Sequence, residues 1–454
     1  MNLPNYFLAD LPPEATLSPV MIGEACQTLK RNRERYLMNR PTESLIKILS
    51  DVADGWLEAD NKFRTLALEL GPAQTGFSRE TLTRGLDGFF KHLTRENFHA
   101  LLVQEFGDVK RLDALCVTPV EQKHNRMAIA NAPEFQVHIA AGSIPNPTFS
   151  SIVFGLLTRS AQFEKCASGS AFLPRLFAHS IYEADPKLGA CLEIAEWRGG
   201  NAALENALFA EADCVTATGS DETLDKIRKH LPLKTKFLGH GHRVSFGFVA
   251  GEVLYGSRGK KIVAAAADDV VAWNQLGCLS PHVIYVQLGG EIAPEHFAQL
   301  LAEELEKREK TEPRGELPAE HAAAIASRRG IYEVRAAHSP ETTQHWCSKD
   351  STAWTVVYEA DARFQLSCLN RFIYVKAVAD LKIVLESADS VRGKVSTVGI
   401  AAPEEKINKV ATQLARWGAT RVCPLGQMQN PPLSWRHDGR PALGDLVTWT
   451  DYEA

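Results

Sequence analysis

Lys260-Lys-Ile-Val-Ala-Ala-Ala-Ala-Asp-Asp-Val-Val-Ala-Trp-Asn-Gln-Leu-Gly-Cys-Leu-Ser-Pro-His-Val-Ile-Tyr-Val-Gln287 is the stretch on which the reading of the fold turns. Residues 261–265 are an apolar run that reads as a strand, running into Asp268 and Asp269, which suit the start of a helix, while Gly277 suits its end. Leu279-Ser280-Pro281 cannot prolong that helix, and residues 282–287 read as the next strand. Cys278 therefore falls in a tight loop between helix and strand. A lone cysteine is most often a buried core residue, but a loop on a rigid scaffold is where reactive groups are displayed, and the Asn274-Gln275 pair just before it strengthens that reading.

The same alternation extends in both directions. Upstream, residues 135–140, 161–165, 191–196, 214–218 and 236–239 are strand-like, with helical stretches between them. Strands and helices in alternation imply right-handed crossovers and a parallel sheet, with the ligand crevice at the carboxyl ends of its strands. Before that, residues 18–102 show helical spacing of apolar residues, as in Ser44-Leu-Ile-Lys-Ile-Leu-Ser-Asp-Val-Ala. Downstream, an amphipathic helix is expected over 293–310, followed by an exposed Pro/Gly-rich connection over 310–318. The chain thus divides into a helical N-terminal region (1–110), a doubly wound nucleotide-binding α/β domain (111–240), a second α/β domain bearing Cys278 (241–415) and an ordered, extended C-terminal arm (416–454).

Composition narrows the function. With 45% apolar and 23% charged residues among 454, the chain is of the globular class and long enough for several cores. The net charge of −5 leaves no basic surface for nucleic acid and no polybasic run for anionic lipid. No stretch approaches the uncharged length that spans a bilayer, and the N-terminus lacks a leader pattern, so a cytoplasmic protein without integral membrane association is expected. Nine cysteines at irregular spacing suit reduced thiols better than a disulfide framework or a zinc ribbon.

Several motifs bear on identity: the Asn274-Gln275 approach to Cys278-Leu-Ser-Pro, Ala217-Thr-Gly-Ser-Asp-Glu, Gly239-His-Gly-His-Arg-Val-Ser-Phe-Gly, and Gln429-Asn-Pro-Pro-Leu-Ser-Trp-Arg-His-Asp-Gly-Arg-Pro. From about residue 130 onward they resemble the aldehyde-dehydrogenase superfamily, and within it the acyl-CoA reductase family that includes the fatty-acid reductase of bacterial luminescence. The resemblance implies an aldehyde-dehydrogenase-like α/β fold. It also implies that Cys278 attacks an acyl carbonyl, and that hydride from a nicotinamide cofactor then releases an aldehyde. Backbone amides of the cysteine turn would stabilise the oxyanion, together with a side-chain amide from the loop His138-Ile-Ala-Ala-Gly-Ser-Ile-Pro-Asn-Pro. Alignment puts Ser143 at that amide position, with Asn146 three residues on, and the choice between them stays open; Asn146-Pro147 is equally a turn signal.

Superfamily members that oxidise aldehydes carry a glutamate base in a Glu-Leu-Gly-Gly segment, which here reads Gly239-His240-Gly241-His242. Without the carboxylate, an acyl-enzyme is expected to exchange with a thiol or accept hydride rather than hydrolyse. His240 and His242 are candidates to supply a proton, and each is equally a loop residue; a metal reading lacks a third ligand, and no metal is expected. No Gly-x-Gly-x-x-Gly follows a strand. The resemblance instead assigns Lys165 to the adenosine ribose and Gly219-Ser220 to the phosphates, although Ser220 also suits a helix cap. Ser168 stands where NAD-specific relatives often have glutamate, which favours NADPH. The expected activity is NADPH-dependent reduction of a long-chain acyl thioester to the aldehyde. The donor would be acyl-CoA or an acyl-carrying partner protein of the acyl-protein synthetase kind, and the enzyme a homo-oligomer. The alternatives are an aldehyde dehydrogenase working oxidatively and a non-catalytic acyl-transfer partner subunit.

Overall fold

The fold was taken from a computed structural model, which describes residues 3–12 and 14–453. Five helices, Pro19–Tyr36, Thr42–Leu57, Lys62–Thr75, Arg79–Phe90 and Arg95–Phe106, build the N-terminal region. Ser18, Asn61, Ser78 and Thr94 each cap one of them by accepting a backbone N–H in the first turn. The helices do not stand apart. Trp56 is fully buried, stacks on Phe90 at 4.8 Å and donates through Nε1 to Ser180 Oγ at 2.8 Å, so the region shares a core with the helix Phe172–Ala184 of the next layer.

Fourteen strands follow: β1 (Arg126–Asn131), β2 (Phe135–Ile139), β3 (Ala161–Cys166), β4 (Leu192–Glu196), β5 (Cys214–Thr218), β6 (Lys236–His240), β7 (Val244–Val249), β8 (Pro281–Gln287), β9 (Thr343–Cys347), β10 (Thr355–Glu359), β11 (Phe372–Val378), β12 (Val395–Ala401), β13 (Arg421–Pro424) and β14 (Thr448–Glu453). The first large sheet is all parallel, in the order β4-β3-β2-β5-β6. Its order reverses at β2, the switch point at which doubly wound sheets open a crevice at their carboxyl ends. The second has the order β13-β12-β7-β8-β11-β10-β9 and is parallel except for β9. β1 and β14 form a separate antiparallel ribbon. No helix among the described residues is long and apolar enough to cross a membrane.

Two local expectations are overturned. Residues 261–265 belong not to a strand but to the helix Gly256–Val271, so the two aspartates lie in its last turn. Four consecutive alanines favour the helix, and Gly259, Val263, Ala266, Ala267 and Val270 share its buried face. Burial pushes the Asp269 carboxyl up to about 7, although it accepts the N–H groups of Gly426 at 2.5 Å and Met428 at 2.8 Å, and so ties the C-terminal arm to this helix. The connection after the helix Pro294–Thr311 is also not exposed throughout. Glu312 and Arg314 are buried, the Arg314 guanidinium donates to the Thr352 carbonyl, and Gly315 bridges to Phe77 of the helical region.

Candidate active site

The carboxyl ends of β2, β5 and β6 meet the amino end of β8 across a cleft of about 210 Å³. Cys278 and Leu279 enter it from one side, and His138, Thr216, Thr218 and His240 from the other. The helical region, the helix Asn146–Leu157 and the arm close it with an apolar wall that includes Phe89, Leu93, Phe154, Leu433, Trp435 and Leu446. Cys278 thus lies at the amino end of the second sheet, facing the carboxyl ends of the first.

The turn that presents it is held by its neighbours. Trp273, Asn274 and Gln275 occupy the left-handed region with φ of 49°, 51° and 62°. Such conformations cost about 1–3 kcal/mol each, and they persist only where packing over-determines them. Asn274 Nδ2 donates to the Arg314 carbonyl at 2.8 Å, its Oδ1 accepts from Arg371 Nε at 3.0 Å, and Gln275 Nε2 donates to the Pro281 carbonyl at 2.8 Å. The Asn-Gln pair is therefore scaffold: its amides point into the protein and fix the turn. Past it, a Cβ at Gly277 would stand 2.4 Å from Gln429 Nε2 and displace that side chain, which donates to Ser280 Oγ at 2.6 Å. Ser245 Oγ donates to the Cys278 carbonyl at 2.8 Å. The N–H groups of Cys278 and Leu279 donate to no protein acceptor among the described residues, which leaves them available to an oxyanion.

Cys278 is half-buried, and burial foremost, then the Asp438 carboxylate, push its thiol up to about 12. It rests as a neutral thiol. Asp438 comes from the arm, in the 3-10 turn His437–Gly439, and its Oδ2 lies 3.1 Å from His240 Nδ1. Arg243 Nε donates to its other oxygen at 3.2 Å. Burial opposes the Asp438 charge, but the His240 hydrogen bond, together with the Arg243 guanidinium, holds it down to about 2. The His437 ring stacks on His240 at 4.3 Å with 4° between the planes, and burial, then the neighbouring His240, hold His437 down to about 4.

Of the residues proposed from sequence, Cys278, Asn146 and His240 converge on the cleft. Asn146 opens the helix Asn146–Leu157, half-buried, with its Oδ1 buried and without a partner among the described residues. Ser143 is exposed and outside the lining, so the structure separates the two positions that the alignment left open. His242 is likewise exposed, with its N–H bonded to Asp221, because the turn after β6 sends alternate side chains to opposite sides.

Lys165, Ser168, Gly219 and Ser220 lie apart from the cleft, at the carboxyl ends of β3 and β5. Lys165 is buried, its ammonium 5.6 Å from the centre of the Trp197 ring and without an ion pair among the described residues. Burial lowers its pKa, against the attraction of Glu205 and Glu196. Lys165 thus closes the strand next to the switch-point strand β2, on the β4 side, while the helix Asp221–His230 opens two strands away, after β5. Ser220 also caps that helix, accepting the Thr223 N–H at 3.2 Å. Ser168 is exposed in the loop after β3, where Glu196 accepts the N–H groups of Gly169 and Ala171.

Sequence reasoning missed the roles of His437, Asp438 and Arg243, and the burial of Glu164 in the cleft floor. The first three stand in quoted motifs, His-Asp in the arm and Gly-His-Gly-His-Arg after β6, but nothing in their spacing joins two segments 198 residues apart.

The sequence profile of the family described as acyl-CoA reductase (LuxC) matches residues 37–449. The long-chain acyl-protein thioester reductase of Aliivibrio fischeri is 26% identical over 328 residues, covering 70% of this chain and 63% of the relative. That of Photorhabdus luminescens is 25% identical over 328 residues, with the same shares. The chain thus aligns with less than two thirds of the length of these curated relatives. Among solved structures, the aldehyde dehydrogenase PutA from Anabaena variabilis superposes with a TM-score of 0.72 at 16% identity, over 96% of this chain and 93% of that one. A NAD-dependent benzaldehyde dehydrogenase from Corynebacterium glutamicum gives 0.68 at 14%, over 96% and 91%. This likeness establishes an aldehyde-dehydrogenase fold, as the sequence motifs implied.

Proposed function

Because the chain belongs to the acyl-CoA reductase (LuxC) family, we propose that it reduces a long-chain fatty acyl thioester to the aldehyde, with Cys278 as the nucleophile that carries the acyl group. One observation carries the reading: the Cys278 thiol opens onto a cleft walled by apolar side chains, and position 239, where oxidising members of the superfamily have a glutamate base, is glycine. The carboxylates that line the cleft are no substitute. Glu164 is fully buried with its pKa well above the usual carboxylate range, and Asp445 is paired with Arg440 at 2.8 Å.

The thiol attacks the acyl carbonyl, with the Cys278 and Leu279 amides and the Asn146 side chain placed to receive the oxyanion, and the donor thiol leaves. His240, at the cleft wall, carries the proton. Lys165 and the Gly219-Ser220 segment would hold the ribose and phosphates of a nicotinamide dinucleotide, which when bound would supply hydride for the reduction. Ser168, in place of a carboxylate, leaves room for a 2′-phosphate without charge repulsion, which favours NADPH. The donor is acyl-CoA or the thioester of an acyl-carrying partner protein, and the relatives' name, acyl-protein thioester reductase, supports the latter.

Single-turnover spectroscopy with NADPH and a long-chain acyl-CoA or acylated protein tests the reading, beside Cys278→Ala. Loss of cofactor absorbance with release of aldehyde is expected for the wild type, and a rate at least 10³-fold lower for the variant, on the order of what loss of a covalent nucleophile costs. Full activity in Cys278→Ala overturns the mechanism. Efficient conversion of aldehyde to acid with NADP+ but no thioester reduction would favour the oxidative alternative. A wild type inert in both directions would favour a non-catalytic subunit.

A further inference from the structure

We infer that the C-terminal arm completes the proton path of this site: Asp438 orients His240 so that its Nε2 takes the proton of the Cys278 thiol and returns it to the thiol that leaves. The inference rests on Cys278 being the acylated nucleophile, and it gives that nucleophile the base that its own loop lacks.

The need for a base follows from the environment of the thiol. At about 12, the Cys278 thiol is ionised in only about one molecule in 10⁵ at neutral pH. The surrounding groups divide cleanly. On the arm, Asp438 holds too low an affinity for protons, at about 2, His437 is held at about 4, and Arg440 is paired with Asp445. On β8, His282 is held down to about 4 by burial and then by His242, and its Nδ1 faces Ser367 Oγ at 3.1 Å. On the cleft floor, burial lowers His138 to about 4, both of its nitrogens are engaged with Thr216 and Gln162, and Glu164 keeps its proton. In the turn after β6, His242 faces out and Arg243 is committed to Asp438. His240 is left, half-buried and lining the same cleft as Cys278.

Its tautomer is set by its partner. A carboxylate this acidic only accepts hydrogen bonds, so His240 Nδ1 carries the hydrogen that it donates to Asp438, and the lone pair sits on Nε2. Arg243 holds the second carboxylate oxygen, and the stacked His437 ring fixes the imidazole plane while remaining neutral. The donor atoms of His240, His437 and Asp438 lie within 4.8 Å of one another and so resemble a metal site. The rings, however, stack face to face rather than converging, and a guanidinium already occupies the carboxylate.

In the step itself, the S–H bond breaks and an N–H bond forms at Nε2. The sulfur lone pair makes the new S–C bond, the bond from carbon to the donor sulfur breaks, and that sulfur leaves with the proton from Nε2. An acyl thioester and the Cys278 thiol become an acyl-Cys278 thioester and a free thiol, with no change of oxidation state. Asp438 is a positioning residue in this scheme, since it acts only through His240.

The test isolates proton removal with a long-chain acyl p-nitrophenyl ester, whose leaving group needs neither a proton nor a specific donor site. Nitrophenolate release and the mass of the acylated chain are followed without cofactor from pH 6 to 10. A rate that is flat between about pH 7 and 9 is expected for the wild type. His240→Ala and Asp438→Asn should be about 10²–10⁴-fold slower at pH 7, the usual span of a general base, and should rise about tenfold per pH unit as hydroxide takes over. Added imidazole should restore acylation of Cys278 in His240→Ala, read by the mass of the acylated chain because imidazole itself cleaves the ester, which also reports that this variant is folded, and Asp438→Glu should keep the flat profile. A wild-type profile in Asp438→Asn overturns the inference and leaves the proposed function standing. Absence of acylation at Cys278 in the wild type at every pH overturns both.

Discussion

Glu164 is the residue on which burial and chemistry are most plainly at odds. It lies on β3 beside His138 of β2, lines the cleft floor, and leaves both carboxyl oxygens buried without a partner among the described residues. Burial raises its pKa well above that of a free carboxyl, so the folded chain holds a proton that the unfolded chain gives up above about pH 4.3. The unfolded state then binds fewer protons, and the stabilisation present below that pH is lost as pH rises toward the folded value, by about 1.4 kcal/mol per pH unit. Glu164→Gln keeps the shape and removes the titration. Its melting temperature should match the wild type near pH 4 and exceed it by a margin that widens as pH rises, measured by calorimetry. Parallel curves for the two proteins would mean that Glu164 is ionised in the folded state. Residues like this one are invisible to a reading of sequence, because Glu164 precedes Lys165 in an ordinary strand and only three-dimensional burial distinguishes them. The place of Cys278 in a loop at the cleft was legible because its signals are local, in the glycine before it and the Leu-Ser-Pro after it. His240 was half legible: His-x-His announced it, but the partner that separates it from His242 is Asp438, far along the chain.

At the scale of elements, the helix Gly256–Val271 and the left-handed turn behind it place Cys278. The sequence reading put the cysteine correctly in a loop before β8 but reached it through a strand that does not exist. A five-residue apolar run satisfies strand and buried-helix patterns alike, and only the tertiary fit of its alanine face against the neighbouring helix Pro294–Thr311 decides. The turn depends in the same way on a distant element. Trp273 lies flat over Gly85 of the helix Arg79–Phe90 and meets Phe77 edge-on at 5.2 Å. A Cβ at position 85 would stand 2.1 Å from the buried Trp273 ring, which has nowhere to go. Gly85→Ala should therefore destabilise the chain by about 1–3 kcal/mol in denaturant titration, the usual cost of overpacking, even though alanine is the better helix former. It should also lower the rate of Cys278 acylation, because relief of the clash shifts the turn. An unchanged midpoint would show that the helical region and the cysteine turn are not mechanically coupled.

The whole molecule builds its cleft from every part of the chain: the helical region, both large sheets, the cysteine loop and the arm. The fold class was legible because parallel sheets announce themselves through alternation of apolar strands and helices. Closure of the site by the arm was not, since residues 425–447 are largely irregular and owe their order to anchors such as Asp269 and Glu105 rather than to periodicity. The arm includes β14, which among the described residues pairs only with β1 and has all six residues exposed. A two-stranded ribbon is marginal on its own in water. Here Phe106 and Arg111 hold only the inner side of Trp449, at 5.8 and 5.7 Å, while Trp449 and Tyr452 keep 45% and 52% of their surface exposed. Unpaired strand edges beside exposed aromatics are where further strands add, so a second copy of this chain is expected to complete the ribbon. The full chain should therefore run as a dimer or larger species in light scattering at micromolar concentration, and Trp449→Ser/Tyr452→Ser should run as a monomer with an unchanged circular dichroism spectrum. If the variant keeps the oligomeric mass of the wild type, assembly uses another face. If the wild type is itself a monomer, the ribbon serves only to brace the arm over the cleft.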